Sequence, residues 1–157
     1  MTGEIQTSAE AMEAAALPDA RVVHCDPNTA PTPEQEPLPD SVTGKPIEDK
    51  SEAEWAYERI ILYIQNFEKQ LDAEHEVAMG FTGSTSGVMR IEGMGFFGPD
   101  ILTFYGTDDM GIKTQMIQHV SQLSVTMRAL PRLPDRPAQR IGFRLAGDLE
   151  PEVEVDA

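Results

Sequence analysis

The stretch Val88–Leu130 constrains the fold most. It reads VMRIEGMGFFGPDILTFYGTDDMGIKTQMIQHVSQLSVTMRAL, with apolar and polar residues alternating in short runs between glycines. Alternation at period two places successive side chains on opposite faces of a strand. Val88–Phe97 is one such run, and Gly93 and Gly95 inside it mark a bulge or sharp bend. Gly98-Pro99 ends it, and Asp100–Gly106 forms the next run. Thr107-Asp108-Asp109-Met110-Gly111 reads as a hairpin loop, and Ile112–Val120 as the returning strand. Ser121–Leu130 fits two periods. Met116, Val120, Leu123, Met127 and Leu130 suit a helix, but Leu123, Val125, Met127 and Ala129 also alternate with polar residues. The β-branched Val125 and Thr126 favour a strand after a short turn at Ser121-Gln122. Upstream, Glu76–Phe81 alternates as a half-buried strand with Val77, Met79 and Phe81 on one face.

A helix precedes these strands. Ser51 and Glu54 make a capping box, in which each side chain satisfies the other residue's backbone N–H. Ile60, Ile64, Phe67 and Leu71 follow at helical spacing, with Tyr57 and Ile61 beside them. The pattern predicts an amphipathic helix to about Asp72 that covers one side of the sheet, with Trp55 as an edge packing residue. The fold class expected is therefore α+β: an N-terminal amphipathic helix, then a strongly bent antiparallel sheet of about five strands.

The flanks differ in composition. Residues 1–50 hold seven of the twelve prolines and few apolar side chains, so ordering them would recover little burial. They are expected to be a disordered acidic arm, with at most a short helix near Ala9–Leu17. Residues 51–146 are expected to be the folded domain, and 147–157 a disordered acidic tail. The net charge of −15 divides accordingly. Ten acids and three bases give −7 in 1–51, twelve and nine give −3 in 52–146, and five acids give −5 in 147–157. Pro131, Pro134 and Pro137 make a stiff spacer, and Arg140–Leu145 is expected to be a final short strand.

In these residues the chain resembles the Sm-like family of small β-barrels, in the pattern of the bacterial RNA chaperone Hfq. The resemblance covers about residues 51–130. It rests on the helix before the first strand, on Ile91-Glu92-Gly93, on Asp100–Tyr105 and on Ile117-Gln118-His119-Val120-Ser121, which is similar to the family's Tyr-Lys-His-Ala-Ile-Ser segment. It implies a small barrel and a ring assembly. Where the family has an aromatic that stacks on uracil, this chain has Ile101, and the lysine of the Lys-His pair is Gln118. The family's basic patch near the helix end is replaced by Glu68, Lys69, Asp72, Glu74 and Glu76. The core segment is also similar to short bacterial proteins of unknown function.

Arginines recur at 128, 132, 136, 140 and 144, but the intervening prolines forbid a continuous helical stripe. The candidate binding surface is His119, Gln118, Arg132, Arg136, Arg140 and Arg144. No catalytic set, metal site or cofactor motif is assigned. Gly83–Gly87 has no helix start behind it and no P-loop lysine, and Asp108-Asp109 reads as a solvated turn. Cys25 is the only cysteine, so no internal disulfide forms. With no long apolar run and no basic leader, the chain is expected to stay in the cytoplasm. The expected function is non-enzymatic: a binding module acting through protein partners or as a homo-oligomer, without a membrane. Nucleic-acid binding is the alternative, opposed by the acidic tails.

Overall fold

The computed structural model describes residues 19–82 and 87–149. The helix expected near Ala9–Leu17, most of the Gly83–Gly87 loop and the tail from residue 150 lie outside them. The helical turn α1 (Asp40–Thr43) leads into α2 (Glu52–Lys69). Strands β1 (His75–Phe81), β2 (Val88–Phe97), β3 (Ile101–Asp108) and β4 (Lys113–His119) follow. A 3-10 turn at Val120–Gln122, strand β5 (Val125–Pro131) and helix α3 (Ile141–Leu149) come next.

Helix α2 starts where its cap places it. Ser51 Oγ accepts the Glu54 N–H at 3.1 Å, and Pro99 in the β2–β3 turn accepts the Ala53 N–H at 3.1 Å. One capping bond is local and the other ties the helix to the sheet. All strand pairs are antiparallel, in the order β4-β3-β2-β1-β5. One sheet face packs Val77, Met79, Met89, Ile91, Leu102 and Phe104 against Ile61 and Ile64 of α2 and Ile141 and Leu145 of α3. Ile61, Ile64, Met79, Leu102 and Phe104 are fully enclosed, and each such side chain contributes about 1.5–3 kcal/mol by leaving water.

The bend expected from the glycines of β2 is a bulge. Ile91 faces Gly106 and Gly93 faces Tyr105, so Glu92 is the extra residue. A Cβ on Gly106 would lie 1.9 Å from the Arg90 carbonyl oxygen, so only glycine lets β3 approach the bulge. The hairpin after β3 is closed by Asp108, whose Oδ1 accepts the Met110 and Ile112 N–H groups, each at 2.9 Å. Strand β5 exists as the alternation predicts, after a turn at Val120–Gln122.

Four readings change. Strand β1 is buried on both faces, because Glu76 and Ala78 are enclosed along with Val77 and Met79. The strand expected at Arg140–Leu145 is helix α3. Ile141 and Leu145, four residues apart, enter the core while Phe143 stays 80% exposed, so the alternation of these three was misleading. Helix α3 also takes in Gly147–Leu149, where composition predicts the start of the tail. Finally, residues 19–50 follow a defined path along the outer side of α2. Val42 is buried, Asn66 Nδ2 donates to the Pro31 carbonyl at 2.7 Å, and Tyr63 donates its hydroxyl proton to Glu34.

The sheet is open. Among the described residues, β4 pairs only with β3 and β5 only with β1, so each has one unpaired edge. No described helix is long and apolar enough to cross a membrane.

Candidate functional site

The prolines after β5 turn the chain back across the start of β1 and the end of α2. This brings arginines spaced four apart in sequence onto acids spaced two to four apart in sequence. Arg132 donates its backbone N–H to the Glu74 carbonyl at 2.8 Å and its Nε to the Glu74 carboxylate at 2.9 Å. Four residues later, Arg136 Nη1 lies 3.2 Å from Glu76 Oε2. Arg140 donates to the His75 carbonyl at 2.7 Å and the Asp72 carbonyl at 2.8 Å, closing the α2–β1 junction.

Glu76 is the centre of this arrangement and is 1% exposed. Its Oε1 accepts from Arg90 Nη1 at 2.6 Å, and its Oε2 accepts from Arg136 and from the Gln139 N–H at 2.9 Å. One carboxylate thus joins β1, β2 and the returning segment. Burying a carboxylate is costly unless it is hydrogen-bonded, and here Arg90, Arg136 and the Gln139 N–H supply the donors that water would have given.

Glu68, at the end of α2, is also buried. Its Oε1 accepts the Gly142 N–H at 2.9 Å, at the start of α3, while its Oε2 has no partner among the described residues. Burial pushes this carboxyl up to about 7, partly opposed by the backbone N–H groups of Gly142 and Ile141 and by Arg140. A Cβ on Gly142 would lie 2.3 Å from that Oε1, so a glycine is what lets α3 sit on the carboxylate. Burial also raises the Tyr57 hydroxyl to about 12, helped by Asp148 of α3.

The candidate surface therefore does not form one site. Arg132, Arg136 and Arg140 are tied to Glu74, Glu76 and backbone carbonyls, and serve to fasten the chain on itself. Arg144 is exposed and has no ion pair among the described residues. With Arg136, Arg140, Phe143 and Glu92 it borders a cavity of about 540 Å3. Gln118 and His119 lie on edge strand β4, separated from β1 by two strands. Gln118 turns inward and is buried beside the core, because it faces Leu102 in the β3–β4 register. His119 is exposed and caps the following turn: its Nδ1 accepts the Ser121 N–H at 3.1 Å, and its Nε2 lies 3.2 Å from Asp100 Oδ2.

What the sequence reading missed is the partnership between two charged stretches. The acids at 68, 72, 74 and 76, noted as a replaced basic patch, face the arginines at 132, 136 and 140 and the start of α3. Two runs of opposite sign flanking the strand block were the available signal. No three histidines, cysteines, aspartates or glutamates converge as metal ligands among the described residues.

A family model matches residues 45–144, from just before α2 into α3. The chain belongs to the DUF6173 family. It is a family of unknown function. The DUF6173 match takes in all five strands, both partners of every arginine–glutamate pair just described, and Glu68. The proline-rich residues 19–44 precede it. No curated protein and no solved structure matches the chain.

Proposed function

We propose that the DUF6173 module is a non-enzymatic assembly module that joins copies of itself, edge strand to edge strand. One observation carries this: the two unpaired edges, β4 and β5, lie at opposite ends of the sheet and are seven residues each. An edge strand offers a row of unmet N–H and C=O groups, and proteins hide such rows by closure, covering or pairing. Pairing β4 of one copy with β5 of the next is a heterologous contact, which generates a ring when the rotation closes. The small barrel and ring implied by the Sm-like resemblance are part of this proposal. From Thr114 to Gln118, β4 carries no charge, and Ile117 is 64% exposed on its outer side. The edges are not bare: Lys113 opens β4, Arg128 lies within β5, and Pro131 ends it.

Nucleic-acid binding has less support. Phosphate contacts need several free cations together, and three of the five arginines in 128–144 are already engaged. Light scattering on the full chain checks the assembly directly. A mass of several copies is expected, falling to one copy in Ile117→Lys, which places a charge on the β4 edge. A single-copy mass at every concentration up to the solubility limit would overturn the proposal.

A further inference from the structure

The outer side of α2 faces away from the sheet and carries Trp55, Arg59, Leu62, Tyr63, Asn66 and Lys69. The proline-rich segment Pro31–Pro39 lies along it. Thr32 and Glu36 are extended on either side of a 3-10 turn at Pro33–Gln35, which Gln35 Oε1 closes by accepting the Thr32 N–H at 3.0 Å. Two hydrogen bonds join the segment to α2, from Asn66 to the Pro31 carbonyl and from Tyr63 to Glu34. Gaps of about 190 and 550 Å3 remain on the two sides of Pro33, Pro37 and Leu38.

The chemistry of the two surfaces matches. The segment carries Glu34 and Glu36 and no base, while Arg59 and Lys69 line the gaps beside it. The Arg59 guanidinium lies 4.6 Å from the Trp55 ring centre, so a cation sits at the aromatic end too, whereas the Lys50 side chain, 5.1 Å from the same ring, is buried and paired with Glu58 at 2.8 Å. Proline-rich segments suit aromatic grooves because they are already extended and lose little entropy on docking. The docking side chains fall within the matched DUF6173 stretch, whereas residues 31–39 precede it. The surface belongs to the module and its occupant does not.

We propose that the outer side of α2 is a docking site for a proline-rich acidic peptide segment, filled in cis by residues 31–39 and open to a partner's segment of the same chemistry when the arm lifts. A short tether holds the arm at an effective concentration of roughly millimolar, so a free segment binds only weakly until the arm is released.

The test uses the full chain and a synthetic peptide with the sequence of residues 29–40. Pro33→Gly with Glu34→Lys loosens the arm by removing the fixed turn and the bond to Tyr63, and by setting a cation near Arg59. Trp55 is the only tryptophan, so its emission reports the groove. The loosened chain is expected to bind the peptide at least about tenfold more tightly than the unaltered chain, as release from a tethered competitor implies. Adding Tyr63→Phe and Asn66→Ala to the loosened chain is expected to remove that gain. Equal affinity of the unaltered and loosened chains, no binding by the loosened chain, or undiminished binding after the groove changes would each overturn the proposal. Glu34→Lys alone supplies the same comparison should the double change lower the melting temperature.

Discussion

Glu76→Ala is expected to lower the free energy of unfolding by about 3–5 kcal/mol. The carboxylate is 1% exposed and accepts from Arg90, Arg136 and the Gln139 N–H. Truncation leaves two guanidinium groups beside a buried space with no anion. The Arg90 and Arg136 side chains keep 15% and 24% of their exposure, so they recover some water and the lower end of the range applies. Even so, the loss is a large share of the 5–15 kcal/mol that holds an ordinary domain together. Glu76→Gln keeps an acceptor and loses the charge, and should cost less. Arg132→Ala is the contrast. Its partner Glu74 is 67% exposed, and such a pair contributes about 0–1 kcal/mol. Urea midpoints at constant slope measure all three changes. A cost for Glu76→Ala no greater than that for Arg132→Ala would show that the buried cluster does not anchor β1.

Much of this fold was legible because local signals agreed with one another. The Ser51–Glu54 cap and the Ile60–Ile64 stripe gave α2 its start and its inner face. Gly93 and Gly95 marked the bulged strand, and Val125 and Thr126 resolved an ambiguous period toward β5. Helix α3 was misread for a physical reason. Ile141, Phe143 and Leu145 satisfy both a two-residue and a four-residue rule, and only the docking surface of α2 decides between them. Gly142, which sequence reasoning treats as a helix breaker, is there because the helix must approach Glu68. The binding surface was less legible. Arginines spaced by four looked available because their partners lie some 60 residues earlier in the chain. Charge complementarity over that distance is set by topology, and no local pattern reports it. Low burial potential does not report that a proline-rich segment lies on an outer helix face, with Val42 buried and with hydrogen bonds from Asn66 and Tyr63.

The contribution of Glu68 to stability is expected to fall between about pH 4.5 and pH 7, and Glu68→Gln is expected to remove that fall. Burial raises this carboxyl from an ordinary 4.5 to about 7. The folded chain therefore holds the proton more tightly than the unfolded chain does. The contribution of the group is fully present below the unfolded value of 4.5 and is lost as pH rises through about 7. A difference of that size corresponds to at most about 3 kcal/mol. The charged form is not without support, because Oε1 receives the Gly142 N–H at the positive end of α3. Its Oε2, however, is buried without a described donor, and that is where the charge is costly. Glutamine keeps an oxygen for Gly142 and carries no charge at any pH. The variant should match the unaltered chain near pH 4, below the unfolded value, and exceed it at pH 8. The informative quantity is the difference between the two proteins at each pH. Parallel stability profiles from pH 5 to 8 would mean that Glu68 reaches water, and that α3 does not rest on a buried carboxyl.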